Sequence, residues 1–414
     1  MSDMSRIDLS SCKKIDKNLQ TNIIRLCIDE ISYNNFYWRF IKQNWPAILT
    51  NVSNEWECSH TWISSKLGAD ATINFVFLKD KIEDCLVPVT ICSDKSVSSE
   101  LSFYDFLNKW EKYIQSSDSD EDCNFPYLKD WHLKSQLPYY EFYHIPKHFS
   151  SDWLNEFLTE NGLDDYRFVY MGPKNTCRTP FHVDVFGSFS WSVNVYGCKK
   201  WILLPAGEEL KLLDQFKKLP SKINEEALRK SNVAFFVIYQ QKNEAIFVPS
   251  GWYHQVYNIT DTISVNHNWF NAVNIRYIWC NVSENLRKVM NEISDLKNFH
   301  NFYEQCQQIL HADFGLNICE FLDILCFIAK KRLFMIEKSR GNANNGNIQC
   351  LSSMMFHLND FHICYDLKNI YTLLKTMTQD KIVYNCKELY KKCITFISLL
   401  DQYSHQMSES TSCL

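Results

Sequence analysis

The sequence predicts an α+β protein in which helical segments flank a central β unit. Between Tyr166 and Phe270 the chain is divided into short segments rich in β-branched and aromatic residues, with turn residues between them, a pattern typical of strands. After Asn274 the apolar residues recur at i, i+3 and i+4, which indicates amphipathic helices. The close spacing of the strands favours an antiparallel barrel or sandwich over alternating βαβ units.

The region that precedes the β unit is predicted to contain helices. Residues 19–45 show an amphipathic helical pattern that ends at Trp45-Pro46, because a proline disfavours the α conformation of the residue before it. The acidic, polar run 116–124 is predicted to be a flexible loop. Ser102 is the predicted N-cap of a helix, whose apolar face is formed by Phe103, Phe106, Leu107, Trp110 and Ile114.

The remaining elements follow one another without internal repeats. The predicted strands are the segments 166–171, 188–196, 199–205, 233–239, 244–249 and 261–270. The predicted C-terminal helices are 276–297, 302–313, 317–337, 359–378 and 381–400, with an exposed loop at 339–347. Three regions result: 1–125 with helices, strands and the acidic loop, 126–273 with the β unit, and 274–414 with the C-terminal helices.

Composition and charge exclude several classes of protein. A net charge of −5 argues against direct binding to nucleic acid. The absence of any long uninterrupted apolar run argues against a membrane protein. The 17 cysteines include no CxxC pair, and the chain has neither the length nor the leader of a small secreted domain. We therefore expect reduced cysteines and a cytoplasmic protein.

Two motifs contain side chains suited to one metal ion. In FHVD, His182 and Asp184 are two residues apart, and on a strand both would point to the same face. A second histidine, His254, follows in PSGWYHQV. Two imidazoles and one carboxylate on one side of a metal leave three adjacent positions open, as in non-haem Fe(II) oxygenases. An HxD pair alone is a weak signal, and the second motif makes it strong.

A lysine lies between the two motifs, at the start of an apolar predicted strand. The candidates are Lys199 and Lys200 in GCKKWILLP, and spacing alone does not choose between them. A lysine buried inside a barrel is costly unless it meets an anion. A dicarboxylate co-substrate that chelates the metal at one end would offer its other carboxylate to such a lysine.

The motifs TPFHVD, GCKKWILLP and PSGWYHQV, in this order, resemble the signature of the JmjC-domain 2-oxoglutarate oxygenases. The resemblance covers most of residues 35–280 and is closest to the small protein-hydroxylase branch. It implies a double-stranded β-helix, which is a jelly-roll or cupin-like barrel, with Fe(II) as the metal, 2-oxoglutarate as the co-substrate and O₂ as the oxidant.

The resemblance assigns His182, Asp184 and His254 as the iron ligands. His267, in NHNW, is an alternative third ligand, but the PSGWYH turn matches the family position better. The chain departs from the family at Tyr253, where relatives often have a second tryptophan before the distal histidine. Tyr253 keeps the bulk of that residue, so we expect no loss of function.

The resemblance also assigns residues to the co-substrate. Lys199 matches the lysine that pairs with the far carboxylate of 2-oxoglutarate, with Lys200 as its alternative. Thr179 and Tyr127 match hydroxyl groups that bond the same carboxylate. Asn266 matches a position that faces the co-substrate, and Ser192 matches a polar position beside the metal.

The activity implied by the resemblance is protein hydroxylation, on a side-chain carbon of a lysine in the eukaryotic translation termination (peptide chain release) factor. The alternatives are an N-methyl-lysine demethylase of the same family and a catalytically inactive binding module. The absence of a chromatin-reading segment argues against the demethylase, and the complete ligand set argues against the inactive module. In related hydroxylases the C-terminal helices form a homodimer or a substrate platform, and both stay open here.

Overall fold

The computed structural model describes residues 23–64, 71–91, 97–116, 125–174, 178–339 and 360–403. The strands of these residues are β1 (Arg25–Cys27), β2 (Ala47–Thr50), β3 (Ile63–Ser64), β4 (Thr72–Ile73), β5 (Leu86–Ile91), β6 (Val97–Ser102), β7 (Pro126–Trp131), β8 (Arg167–Gly172), β9 (Arg178–His182), β10 (Phe189–Tyr196), β11 (Lys199–Leu204), β12 (Phe236–Gln240), β13 (Ala245–Val248), β14 (Tyr253–Asn258) and β15 (Thr262–Trp269). The helices are α1 (Tyr33–Phe36), α2 (Glu57–Thr61), α3 (Phe75–Lys81), α4 (Phe103–Gln115), α5 (Leu133–Gln136), α6 (Trp153–Glu160), α7 (Glu225–Lys230), α8 (Ile275–Glu292), α9 (Phe302–Phe314), α10 (Ile318–Ser339), α11 (Asp360–Gln379), α12 (Lys381–Asn385) and α13 (Lys387–Asp401).

The β unit consists of two main sheets whose strands alternate along the chain. Among the described residues, the larger sheet has nine strands in the order β1-β2-β13-β10-β15-β8-β7-β5-β6, and the smaller has four in the order β12-β11-β14-β9. From β8 to β15 the chain passes repeatedly between these sheets, which is consistent with a double-stranded β-helix. The antiparallel pairing expected from the sequence is confirmed in the registers of these strands.

Two strands that carry site residues, β9 and β14, lie outside the six predicted strand segments. Both are short and contain several polar residues, so their composition gives a weak strand signal. The prediction that His182 and Asp184 share a strand is wrong. β9 ends at His182, and the chain turns at Val185–Gly187, where Phe186 has a φ of 60°.

The predicted helix over residues 19–45 is also wrong in its first half. Arg25–Cys27 form β1, which pairs in parallel with β2, and Ile23 packs in a core cluster with Ile48 and Trp252. Tertiary pairing therefore overrides the helical period of this segment. Only the second half is helical, as α1 and a continuing π-helical turn, Tyr37–Ile41.

The predicted N-cap of α4 is confirmed, because the Ser102 hydroxyl accepts a hydrogen bond from the Asp105 backbone N–H at 3.2 Å. Phe103, Phe106, Leu107 and Trp110 are buried as expected. Ile114 continues this face by one turn but is 44% exposed, so the buried part of the face ends at Trp110. In the acidic run, residues 117–124 lie outside the described residues, and so do residues 340–347 of the other predicted loop.

The chain divides into two compact units. The first comprises the described residues up to His148, Asp164–Asp184 and Phe189–Asn268, and contains the β unit. The second comprises Phe149–Leu163, Val185–Ser188 and the described residues from Trp269 onwards, and is helical. The predicted boundaries after residues 125 and 273 stay a prediction.

The helical unit confirms the predicted C-terminal helices with one correction. The segment 381–400 is two helices, α12 and α13, separated at Cys386, whose backbone is extended. A buried ion-pair network joins α10 to its neighbours, because the Arg332 guanidinium contacts carboxylates of both Glu156 and Asp366. Such a network satisfies a charge that would be very costly alone in a core.

Two further observations concern the cysteines and the hydropathy of the helices. Eleven cysteines among the described residues are free thiols. No helix in the described part of the chain is both long and apolar enough to span a bilayer.

Candidate metal and co-substrate site

Three side chains from the two sequence motifs meet at one point of the β unit. His182, the last residue of β9, is the register partner of His254 on β14, and their rings are 4.3 Å apart between centroids. Asp184 follows β9, and one ligand atom from each of the three residues lies within 4.8 Å of the others. Two nitrogens and one carboxylate oxygen at this separation form a donor set suited to a divalent transition metal.

Hydrogen bonds to backbone carbonyls fix the tautomer of both histidines. The Nδ1 atom of His182 is 2.7 Å from the Pro180 carbonyl oxygen, and the Nδ1 atom of His254 is 3.1 Å from that of Trp252. Because a carbonyl oxygen can only accept, each Nδ1 carries the proton and each Nε2 keeps its lone pair. Both rings therefore present an unprotonated nitrogen to a metal ion.

The third ligand is oriented by a hydroxyl group. The Ser190 Oγ donates to the Asp184 Oδ2 at 2.7 Å, which leaves the other carboxylate oxygen for a metal.

Burial is the main cause, and the nearby His254 the second, of the shift that lowers the pKa of His182 to about 4. His182 is therefore neutral at neutral pH, the form that a metal requires.

The strand register answers the question that spacing left open between the two lysines. On β11, Lys199 is 2% exposed and its Nζ donates to the Ser264 Oγ on β15 at 2.6 Å. Lys200 points to the opposite face, where its Nζ pairs with Glu225 at 2.9 Å. Lys199 is therefore the lysine inside the β unit.

Lys199 is buried without an acidic partner. In the described part of the chain, no carboxylate lies within 4.0 Å of its Nζ, and this atom lies 5.7 Å from the centroid of the Tyr170 ring. Burial lowers the pKa of Lys199 to about 7. A buried amine that lacks its anion fits a site that binds a carboxylate from elsewhere.

The two parts of the site face the same interior. Lys199 is paired with Asn258 on β14, and Leu203 with His254. Since His254 and Asn258 are four residues apart on one strand, they project from the same face. A molecule that binds the metal ligands at one end and the lysine at the other would lie along this face.

Comparison with known proteins identifies a family. The protein-family model described as "JmjC domain, hydroxylase" matches residues 168–269 of the sequence, which include His182, Asp184, Lys199 and His254. A Drosophila melanogaster protein named "2-oxoglutarate and iron-dependent oxygenase JMJD4 homolog" is 46% identical over 85% of this chain and 87% of its own length. The chain belongs to the JmjC family.

Two further relatives show the range of activities named within the JmjC family. The Homo sapiens protein "2-oxoglutarate and iron-dependent oxygenase JMJD4" is 36% identical over 76% of this chain and 78% of its own length. The Arabidopsis thaliana protein "Arginine-specific demethylase JMJ20" is 31% identical over 84% of this chain and 77% of its own length. The strong similarity to JMJD4 oxygenases agrees with the family expected from the motifs.

Of the other predicted JmjC site residues, the structure brings Tyr127 and Asn266 close to the lysine. Tyr127 on β7 is buried, and its ring centroid is 6.2 Å from that of Tyr170, the ring that Lys199 contacts. The Asn266 Nδ2 donates to the Ser264 Oγ at 3.0 Å, the atom that also accepts from Lys199. Both residues are therefore linked to the lysine end of the site.

For Thr179 and Ser192, the structure gives a strand position but no contact with Lys199 or the three metal-ligand candidates. Thr179 lies on β9, paired with Val256 on β14. Ser192 lies on β10, two residues after Ser190, and therefore on the same face of that strand. Its hydroxyl is buried and has no hydrogen-bond partner among the described residues. The roles assigned to Thr179 and Ser192 stay predictions.

The alternative ligand His267 occupies a different environment. Its Nε2 is 2.8 Å from the Tyr143 hydroxyl, and its ring stacks on Trp191 with centroids 4.0 Å apart. Burial holds the pKa of His267 well below its usual value. His254, and not His267, is grouped with His182 and Asp184.

Sequence reasoning missed three polar residues of the site: Ser190, Ser264 and Asn258. Ser264 and Asn266 alternate on β15 and so share a face, which was a usable signal once Asn266 had been assigned. Ser190 lies two residues before the predicted Ser192 and therefore on the same face of β10. Asn258 ends β14, a strand that the sequence did not predict, so its place opposite Lys199 required the register.

Proposed function

We propose that this chain is an Fe(II)- and 2-oxoglutarate-dependent oxygenase that hydroxylates a protein side chain. The observation that carries the proposal is the combination of the three-ligand cluster with a buried lysine that lacks its anion, both on one inner face of the β unit. The same observation argues against an inactive binding module, because selection for binding alone would not keep an unpaired buried lysine beside a complete ligand set. We also propose that the two sheets form a double-stranded β-helix.

Each residue has a defined task in this proposal. His182, Asp184 and His254 hold Fe(II), and the Pro180 and Trp252 carbonyls keep the two imidazoles in the metal-binding tautomer. The bound iron, together with 2-oxoglutarate and O₂, supplies the oxidant that converts a C–H bond to an alcohol and leaves succinate and CO₂.

The second group of residues binds the co-substrate. Lys199 pairs with the far carboxylate of 2-oxoglutarate through its side-chain ammonium group. The hydroxyls of Tyr127, Thr179 and Ser264 provide hydrogen bonds to this ammonium group or to the carboxylate. Asn266 orients Ser264 by donating to its hydroxyl. This arrangement fixes 2-oxoglutarate at its non-reacting end, so that binding energy from that end positions the reacting end.

The proposed substrate is a lysine of the eukaryotic translation termination factor, hydroxylated on carbon. The choice rests on the resemblance of the motifs to the protein-hydroxylase branch, and the relatives named as JMJD4 oxygenases support the iron- and 2-oxoglutarate-dependent chemistry that it requires. A second candidate is demethylation of a methylated arginine or lysine, because a relative named as an arginine-specific demethylase is 31% identical over 84% of this chain. Both reactions begin at a C–H bond and use the same ligands, so the iron site itself favours neither.

The two candidates are separated by where the oxygen goes. An alcohol on the lysine chain is stable and adds one oxygen atom, whereas a hydroxylated N-methyl group leaves as formaldehyde. The test incubates a release-factor fragment with the full chain, Fe(II), ascorbate and 2-oxoglutarate under ¹⁸O₂, followed by mass spectrometry. A labelled lysine supports hydroxylation. Formaldehyde from methylated peptides, with no labelled lysine, contradicts it.

We further propose that the chain acts in the cytoplasm on a protein partner, without nucleic acid. Self-association through the C-terminal helices is part of this proposal, supported by the exposed apolar side chains of Tyr384 and Ile394. Sedimentation of the wild-type chain and of an Ile394→Glu variant tests it. A monomeric wild-type chain at all concentrations would remove the dimer and leave the substrate-platform alternative.

A further inference from the structure

The pairing of β2 with β13 ends next to the motif PSGWYHQV, which contains His254. β2 and β13 are antiparallel, with Ala47 opposite Phe247 as the last pair. Pro46 directly precedes Ala47, the first residue of β2. Pro249 follows Phe247 by two residues, directly after the end of β13. Neither proline has a backbone N–H, so neither can donate a hydrogen bond to the ladder at these positions.

Asn44 continues the ladder with its side chain. Extending the β2–β13 register by three residues places Asn44 opposite Ser250. The Asn44 Nδ2 donates to the Ser250 carbonyl oxygen at 2.9 Å, and the Ser250 N–H donates to the Asn44 Oδ1 at 2.9 Å. This is the two-bond exchange that a hydrogen-bonded antiparallel pair makes through its backbones.

The backbone of Asn44 is used elsewhere. Its φ is 50°, and its N–H donates to the Ile41 carbonyl oxygen at 3.1 Å, at the end of the π-helical turn Tyr37–Ile41. Asparagine tolerates this left-handed conformation better than most residues. One residue therefore both ends a helix and provides an amide that imitates a peptide group.

The turn that Asn44 holds leads directly to a metal ligand. Ser250 and Gly251, whose φ is 76°, form the turn before Trp252. The Trp252 carbonyl accepts the Nδ1 proton of His254, and its indole packs edge-on against Trp45, with ring centroids 5.4 Å apart. The neighbours Asn44 and Trp45 thus hold opposite ends of the segment that orients the His254 ring.

We propose that Asn44 is a positioning residue for the metal site, acting on His254 through the Ser250 turn. The inference rests on the proposed function in taking His254 as a metal ligand, but it concerns the geometry of the protein and not the reaction. Loss of the amide would let the turn move, tilt the His254 ring and weaken metal binding by about 10- to 100-fold, the range found for residues that orient metal ligands.

The test is titration of the full chain with Co(II), followed by its visible ligand-field spectrum. Asn44→Gly keeps the left-handed backbone accessible and removes both hydrogen bonds. The matched control is Asn51→Gly, since Asn51 also has a positive φ, 64°, and its side chain contacts Cys27 and not the turn. We expect weaker Co(II) binding and an altered spectrum for Asn44→Gly, and wild-type behaviour for Asn51→Gly.

A second variant keeps the test decisive if Asn44→Gly fails to fold. Asn44→Asp retains the acceptor for the Ser250 N–H and loses the donor, so its Co(II) affinity should lie between those of wild type and the glycine variant. Wild-type affinity and an unchanged spectrum in a folded Asn44 variant would overturn the positioning role alone. A wild-type chain that binds no Co(II) would overturn the metal site, and the positioning role with it.

Discussion

Burial decides the charge of the side chains around the candidate site. His182 has a pKa of about 4, because burial and the adjacent His254 disfavour its protonated form. Lys199 has a pKa of about 7, because burial disfavours its ammonium form. Both shifts favour ligand binding: a neutral imidazole binds a metal, and an amine that titrates near neutrality gains a large stabilisation from a carboxylate.

The choice of the third metal ligand gives the first prediction. His254→Ala should weaken Mn(II) binding by more than about 100-fold, because it removes one of three donors. His144→Ala is the control, since His144 is exposed and outside the cluster. Binding is measured by calorimetry or by electron paramagnetic resonance. If His254→Ala binds Mn(II) normally and His267→Asn does not, the ligand assignment is wrong.

The two lysines give the second prediction. Lys199→Met should weaken 2-oxoglutarate binding by about 2–5 kcal/mol, the usual cost of truncating one partner of a buried charge pair, which is at least about 30-fold in Kd. Lys200→Met should change it little, because Lys200 pairs with Glu225 on the other face. Calorimetric titration of the Mn(II)-loaded protein measures both. Equal losses in the two variants would contradict the register of β11.

The third prediction is a pH dependence. Without co-substrate, Lys199 loses its proton near pH 7, whereas a bound carboxylate stabilises the ammonium and raises the pKa again. Binding above pH 7 must therefore take up a proton, so 2-oxoglutarate affinity should fall as pH rises, by up to about tenfold per unit. Titrations of the Mn(II)-loaded protein from pH 6.5 to 9 measure the slope. An affinity that does not change with pH, or a slope that persists in Lys199→Met, would refute this origin.

At the scale of elements, strand register determines which side chains reach the site. The β-branched segments predicted six of the eight strands from β8 to β15, yet they could not decide between Lys199 and Lys200, because a shift of one residue exchanges the two faces. Pairing of Lys199 with Asn258 settles the face. Neighbouring strands set that register, so a local pattern could not supply it.

The turn before β11 provides an element-scale prediction. Gly197 has a φ of 83°, and a Cβ added there would lie 1.9 Å from the Asp261 carbonyl oxygen. Gly197→Ala should destabilise the fold by more than about 2 kcal/mol, from backbone strain of about 1 kcal/mol and the clash. Gly207→Ala is the matched control, because Gly207 also has a positive φ, 95°, but no atom within 4 Å of an added Cβ.

Urea unfolding of the two glycine variants measures the difference. Gly207→Ala should lose only the strain contribution, so the free energy of unfolding should be lower for Gly197→Ala. Equal losses would mean that the clash relaxes without cost. The same experiment reports on the site, since a shifted turn would move Lys199 and weaken 2-oxoglutarate binding in Gly197→Ala alone.

At the scale of the whole molecule, the sequence predicted the order of the parts better than their connections. The central β unit, the C-terminal helices and the metal motifs were all predictable, because periodicity and short motifs are local. The strand β1 and the Asn44 amide were not, because each depends on a partner about 20 to 200 residues away. The Arg332 network was also unpredictable, since its acids lie on α6 and α11.

The central claim is that His182, Asp184 and His254 would hold an iron ion that catalyses the oxidation of 2-oxoglutarate by O₂. The most direct measurement is succinate formed by the purified full chain with Fe(II), ascorbate, 2-oxoglutarate and a release-factor fragment in air. We predict succinate from the wild type and from Asp164→Ala, whose exposed carboxylate lies outside the cluster, and none above background from a folded Asp184→Ala. Wild-type succinate at background, or undiminished succinate from Asp184→Ala, would contradict the claim.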